Sequence, residues 1–302
     1  MSKIILENSH LKVEILTYGA IIQRLFVKKH NDNWQNVVIG LNTEEDYKKG
    51  NPAYLGACIG PYAGRIDKGM FPLEGKIIQL DSKDGVHLHG GKSGFHMREW
   101  TIEKSGKGEK PFITLHLNNN HEYRGYSGNT TIKLTYTLVK NELQLHYHGT
   151  TDKSTLLNLT NHSYFNLGDG LPITEHTLFI DADHYLETDN RLIPTGKKIR
   201  TTNSAYDFKT KRKIESPFLD DTFILNNDKK VQACLSCLNT GLKMEVITDQ
   251  PGMVVFTPKE GNSICFETQH FPDAPNHPNF PNTVLNPNEM YLQKTAFKFS
   301  LL

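Results

Sequence analysis

The sequence predicts an all-β fold, a large antiparallel β-sandwich. Three observations predict it. Side-chain character alternates with a period of two over many short runs, turn-forming residues separate those runs, and helical spacing is nearly absent. The chain has 302 residues, 37 % of them hydrophobic and 22 % charged. That size and balance suit a folded chain with room for a deep pocket. No Pro-, Gly- or Ser-rich stretch divides it, so residues 1–302 are read as a single domain.

The clearest run is Ile132, Leu134, Tyr136 and Leu138, alternating with Lys133, Thr135 and Thr137. Leu143, Leu145 and Tyr147 then alternate with Gln144, His146 and His148, and Lys140-Asn141 lies between, which predicts a hairpin. Shorter runs of the same kind fall at 11–15, 113–117, 177–180, 244–247, 254–256 and 296–301. Turn signals at Asp84-Gly85, 105–108, 118–120, 226–228, 239–241 and Pro251-Gly252 separate them. Helix is expected only after Asn42 or Thr43 as N-cap, for one or two turns. The segment Leu156-Leu157-Asn158-Leu159-Thr160-Asn161-His162 starts as a buried strand and ends in polar groups, a habit of strands that end at a site.

A net charge of +1 leaves no basic excess to follow phosphates, so nucleic acid is a poor candidate partner and none is expected. The first eight residues lack the apolar core of a signal peptide, and no run approaches the roughly 20 apolar residues of a membrane span. The four cysteines, Cys58, Cys234, Cys237 and Cys265, are sparse, which fits a reducing compartment and a cytoplasmic location. Cys234 and Cys237 have CxxC spacing but no second pair and no βαβ context. On a strand they face opposite ways, so they are read as structural.

Several segments could carry chemistry. Glu267 follows the apolar Ile264-Cys265-Phe266, where a carboxylate is costly to bury and its pKa rises toward neutrality. Alternation places Glu267 on the face of Cys265, opposite Phe266; the plainer alternative is a solvated edge strand. His162 follows a buried stretch, and imidazole suits proton exchange near neutral pH; a hydrogen-bonded core histidine is the alternative. His87 and His89 would share one strand face, as would His146 and His148, but no HxxxH or HExxH spacing supports a metal, and none is expected. The glycines of His89-Gly90-Gly91 permit close approach of backbone or ligand. Arg65 follows a glycine-punctuated turn and could hold vicinal hydroxyls, or simply pair with Asp67.

With these segments in order, the chain resembles the aldose 1-epimerase (galactose mutarotase) family nearly end to end. The most specific matches are Asn158 to Asn166 and Glu267-Thr268-Gln269-His270-Phe271-Pro272-Asp273. Thr17 to Ala20, Arg65-Ile66, Leu88 to Gly91, Gly125 to Asn129, Leu192 to Gly196 and Asp220 to Phe223 fill in the rest. The resemblance implies a supersandwich with a cleft for free aldoses such as glucose and galactose. It implies Glu267 as general base, His162 as general acid, His89 beside the ring oxygen, and Arg65 and Asp220 on sugar hydroxyls. Asp220 is preferred to Asp221 because it stands three residues before Phe223. Gly64, Pro61, Ser127 and Phe256 depart from the family's usual Asn, Arg, Pro and Tyr, and bear on sugar preference.

Such a reaction transfers no electron or group, so no cofactor is expected, and a monomer or homodimer would suffice. Two other readings stand beside it. A glycoside hydrolase would pair Glu267 with Asp220. A non-catalytic sugar-binding protein would use Trp34, Trp100 and the tyrosines as stacking surfaces. Phosphorylated hexoses would call for several cations, and Arg65 is the one firm candidate, which favours neutral sugars.

Overall fold

The hairpin expected from alternation lies inside a nine-stranded sheet of the computed structural model, which describes residues 2–29, 33–120, 125–215, 218–226 and 230–302. Thr130–Val139 and Glu142–Thr151 pair antiparallel with Leu138 opposite Leu143 and Lys140 in the turn at φ 52°. The sheet order is Thr101–Gly106, Phe112–Asn119, Thr130–Val139, Glu142–Thr151, Tyr291–Leu301, Leu242–Thr248, Ala233–Cys237, His176–Ile180 and Arg212–Lys213. A seven-stranded sheet runs Pro194–Arg200, Ala182–Thr188, Asp220–Leu225, Gly252–Phe256, Ile264–Gln269, Tyr164–Phe165 and Val38–Ile39. Lys3–Glu7, Leu11–Leu16, Ile21–Lys28 and Trp34–Asn36 form a third sheet. Pairing within these three sheets is antiparallel throughout the described residues.

One apolar cluster draws on all three sheets. Leu134, Leu145, Leu235 and Phe297 enter it from the first, Phe165, Phe223, Val255 and Phe266 from the second, and Leu11, Val13 and Leu25 from the third. The rings of Phe165 and Phe297 lie 4.8 Å apart, so the two large sheets face each other as a sandwich. The same strands divide their side chains between this core and an opposite face. Along Ile264–Gln269, Ile264 and Phe266 join the core while Glu267 lines a cavity behind the sheet. Along Gly252–Phe256, Met253 and Val255 face the core while Val254 and Phe256 face the cavity. Along Asp220–Leu225, Phe223 and Leu225 face the core while Asp220 and Thr222 face the cavity. A period of two thus sorts packing from chemistry on three neighbouring strands.

The short helix is Glu44–Lys49, with Thr43 as N-cap in a reciprocal capping box with Asp46. The segment from Leu156 to His162 is buried, as expected, and changes partner along its length. Thr155–Leu156 pairs with Val284–Leu285, Asn158 bridges Tyr62, and Thr160–Asn161 pairs with Cys58–Ile59. Asn158 fastens this change of partner. Its N–H donates to Pro61 O at 2.9 Å and its carbonyl accepts the Ala63 N–H at 2.7 Å, while its side-chain amide donates to the carbonyls of Ala63 at 3.1 Å and His270 at 3.3 Å and accepts the His270 N–H at 2.9 Å. The expected turn at 226–228 extends beyond Asn226 into residues outside those described. All four cysteines are free; Cys237 lies in the core and Cys234 is half-buried. No helix among the described residues is long and apolar enough to cross a membrane.

Phe266→Ala is expected to lower stability by about 3–5 kcal/mol, read as a lower urea midpoint with an unchanged slope. Val254→Ala, on the cavity face of the next strand, should cost distinctly less in the same measurement.

Candidate active site

The cavity behind the seven-stranded sheet has a volume of about 550 Å³. All five residues singled out from the sequence, Glu267, His162, His89, Arg65 and Asp220, line it.

His162 is held through its main chain. Its N–H donates to Ala57 O at 2.9 Å, and its carbonyl accepts the Gly56 N–H at 2.9 Å. Neighbouring Asn161 ties the same turn, its amide donating to Gly56 O at 2.9 Å and its Oδ1 accepting the Ser163 hydroxyl at 2.6 Å. The imidazole stacks on Tyr164, centroids 5.1 Å apart, and on Tyr54 at 5.8 Å, and meets His89 edge-on at 5.4 Å. Its Nε2 lies 3.5 Å from Glu267 Oε1, and its Nδ1 lies 3.6 Å from Cys265 Sγ.

Glu267 is 2 % exposed and His162 4 %. Burial pushes the Glu267 carboxyl up to about 8, with the Asp220 charge adding and Arg65 opposing. Burial pulls His162 down to about 4. Between those values the pair holds one proton, and desolvation places it on the carboxyl. Glu267 Oε2 is buried with no hydrogen-bond partner among the described residues, so it is open to a group entering the cavity.

His89 stands just beyond the strand Val86–Leu88, which pairs with Arg65–Asp67. The strand ends because His89 turns left-handed, at φ 53°. Its N–H donates to Gly64 O at 3.1 Å, and its Nδ1 accepts the Gly64 N–H at 3.1 Å. Burial, with His162 and Arg65 nearby, keeps the ring neutral, its pKa well below the usual value. A neutral ring that accepts at Nδ1 carries its proton on Nε2 and presents a donor. Gly90, at φ 81°, is required at its position: a Cβ there would lie 2.1 Å from Gly60 O.

The expected shared face of His87 and His89 is overturned by that left-handed turn. His87 lies instead against the Asp81 carbonyl at 2.6 Å and the Tyr126 hydroxyl at 2.8 Å. One group of possible metal ligands does converge among the described residues: His89, His162 and Glu267 bring ligand atoms within 4.8 Å of one another. While Gly64 occupies Nδ1 of His89, that ring offers the group an N–H rather than a lone pair.

Arg65 pairs with Asp220 (Nη2 to Oδ2, 3.2 Å) rather than with Asp67. Asp67 pairs with Arg191 at 2.8 Å, and its N–H donates to Asp273 Oδ1 at 2.9 Å. The Asp273 N–H donates to Arg65 O at 2.8 Å, so this end of the 267–273 segment braces the strand that carries the guanidinium. Asp221 stays out of the cavity and accepts the Asp220 N–H at 3.1 Å.

Of the four departures, Gly64 and Phe256 line the cavity and Pro61 and Ser127 do not. Gly64 sits at φ 81°, a conformation that Gly and Asn adopt most readily, so the exchange keeps the backbone. Trp100 is buried and Trp34 lies away from the cavity, whose aromatic walls are Tyr54, Tyr164 and Phe256. Sequence reasoning missed Tyr54, the position of Cys265 beside His162, and Lys259 at the rim. Tyr54 has φ 57° in a loop and carries no periodic signal.

The aldose 1-epimerase family model matches residues 2–298. An aldose 1-epimerase of Haemophilus influenzae is 35 % identical, the match covering 98 % of this chain and 95 % of that protein. The galactose mutarotase of Homo sapiens is 35 % identical, covering 100 % and 94 %. Among solved structures, a GalM/aldose epimerase homologue from C. elegans superposes with a TM-score of 0.94 at 26 % identity, covering 100 % of this chain and 99 % of that one. A galactose 1-epimerase from Lactobacillus acidophilus gives 0.88 at 28 %, covering 99 % and 94 %.

The shifted pair has a signature in stability. A carboxyl at about 8 in the fold contributes stability below its ordinary 4.5 that is lost as pH rises toward 8. A histidine at about 4 in the fold has the opposite slope, losing stability as pH falls from 6.5 toward 4. Urea unfolding of Glu267→Gln against the parent should therefore show the variant gaining relative stability from 4.5 to 8, with a plateau above. A pH-independent difference would place the carboxyl in water.

Proposed function

The chain belongs to the aldose 1-epimerase family, and we propose that Glu267 and His162 interconvert the α and β anomers of free aldohexoses such as glucose and galactose. One observation carries the reading: a carboxyl and an imidazole, both buried, stand 3.5 Å apart in one cavity large enough for a sugar ring. Ring opening needs a base for the C1 hydroxyl and an acid for the ring oxygen at the same hemiacetal.

The pair carries the single proton that this chemistry consumes and returns. With the proton on His162 Nε2, ionised Glu267 takes the hydrogen of the C1 hydroxyl while the imidazolium gives its proton to the ring oxygen. The C1–O5 bond breaks and the aldehyde forms. Glu267 is then protonated and His162 neutral, the arrangement that burial favours. Rotation about C1–C2 followed by the reverse transfers closes the ring on the other face. His89, an Nε2–H donor, suits the ring oxygen or a neighbouring hydroxyl, and Arg65 with Asp220 holds further hydroxyls. Arg65 is already paired with Asp220, which favours neutral sugars over phosphorylated ones even with Lys259 at the rim.

We read residues 1–302 as one catalytic unit that works without nucleic acid, as a monomer or homodimer, in the cytoplasm. The family match over 2–298 and four free thiols support that reading.

Polarimetry on α-galactose and α-glucose, corrected for the spontaneous reaction, tests the assignment. Glu267→Gln and His162→Asn should each lower kcat by about 10²–10⁴-fold; parental rates in either would remove that residue from its role. In the parent, kcat/KM should be bell-shaped, with limbs near about 4 and about 8. Asp220→Asn removes a charge that raises Glu267, so its alkaline limb should move to lower pH while KM rises.

A further inference from the structure

Each nitrogen of a catalytic imidazole needs an assigned role. Nε2 of His162 faces Glu267. Nδ1 faces the sulfur of Cys265, a fully buried residue two positions before Glu267 on the same strand and opposite Tyr164 in register. We infer that Cys265 is a positioning residue for His162: its sulfur accepts the Nδ1 proton, holds the neutral ring as the Nδ1–H tautomer, and leaves Nε2 to receive and release the proton that reaches the sugar. The inference rests on the acid role proposed above.

Three observations support it. The 3.6 Å separation is within reach of a sulfur hydrogen bond. The carbonyl of His162 itself also attracts a ring proton, and of the two ring nitrogens only Nδ1 can lie near the residue's own main chain. Burial, with Glu267 and Asp220 nearby, holds the Cys265 thiol well above its ordinary pKa, so the acceptor is a neutral thiol throughout the cycle.

The choice of partner has a chemical consequence. A carboxylate on Nδ1 would stabilise the imidazolium and make the ring a stronger base. A neutral thiol orients the ring without stabilising its charge, so the protonated ring gives its proton up readily. That suits an acid that must protonate a weakly basic ether oxygen.

The test reads the tautomer directly. Protein labelled with ¹⁵N-histidine is examined at neutral pH by long-range proton–nitrogen spectra, with the His162 signals assigned by their loss in His162→Asn. The expected pattern is a protonated Nδ1 and an unprotonated Nε2. In Cys265→Ala, and in Cys265→Val, which restores volume without an acceptor, the Nε2–H form should gain. There kcat should fall about tenfold with KM within about twofold. Cys265→Ser retains an acceptor and should recover the Nδ1–H form and most of kcat. A parent spectrum showing Nε2–H overturns the inference even if no variant folds, as do Ala and Val variants with parental tautomer and kcat. Full activity in His162→Asn would instead overturn the acid role, separately from the spectrum.

Discussion

A carboxyl group and an imidazole removed from water cannot both be charged cheaply, and the rest of the site follows from that constraint. Desolvation acts on the two groups in opposite directions, raising one and lowering the other until a single proton serves both. Tyr54, Tyr164 and Phe256 form apolar walls around the imidazole. Arg65, a strongly basic side chain close to Glu267, is paired with Asp220, and the two act on the carboxyl with opposite sign.

The fold meets this demand by burying both faces of one sheet for different purposes. One face supplies Phe223, Val255 and Phe266 to the sandwich core. The other supplies Asp220, Thr222, Val254, Phe256 and Glu267 to the cavity. Side chains on rigid central strands hold their positions better than side chains on loops. The loop-borne groups are fastened by buried amides: Asn158 holds the 60–65 segment, and Asn161 holds the turn before His162. Asn166 does likewise for the 168–171 and 262 turns, donating to Leu171 O at 2.8 Å and Asn262 O at 2.6 Å.

Much of this was legible in the sequence. Alternation in 132–148 marked the hairpin, and alternation through Cys265, Phe266 and Glu267 put the carboxylate opposite the core. His162 stood out as a candidate from its own surroundings, and the family resemblance added its acid role and Asp220. What was not legible depends on backbone geometry without a periodic signal. The left-handed turn at His89 separates it from His87, against the strand rule that would pair them. Asn158 bridges Tyr62 between the pairings of 155–156 and 160–161, so one expected strand serves three partners in turn. Tyr54 reaches the imidazole from a loop, and Lys259 reaches the rim from another, so spacing gave no hint of either.

Strand Tyr291–Leu301 lies in the middle of the larger sheet, between Glu142–Thr151 and Leu242–Thr248. Until that strand docks, the two halves of the sheet stay unjoined, each with an open edge. A folding chain is therefore open to mispairing along both edges until residues 291–301 insert between them. Insertion of one central strand, rather than growth at an outer edge, completes this architecture.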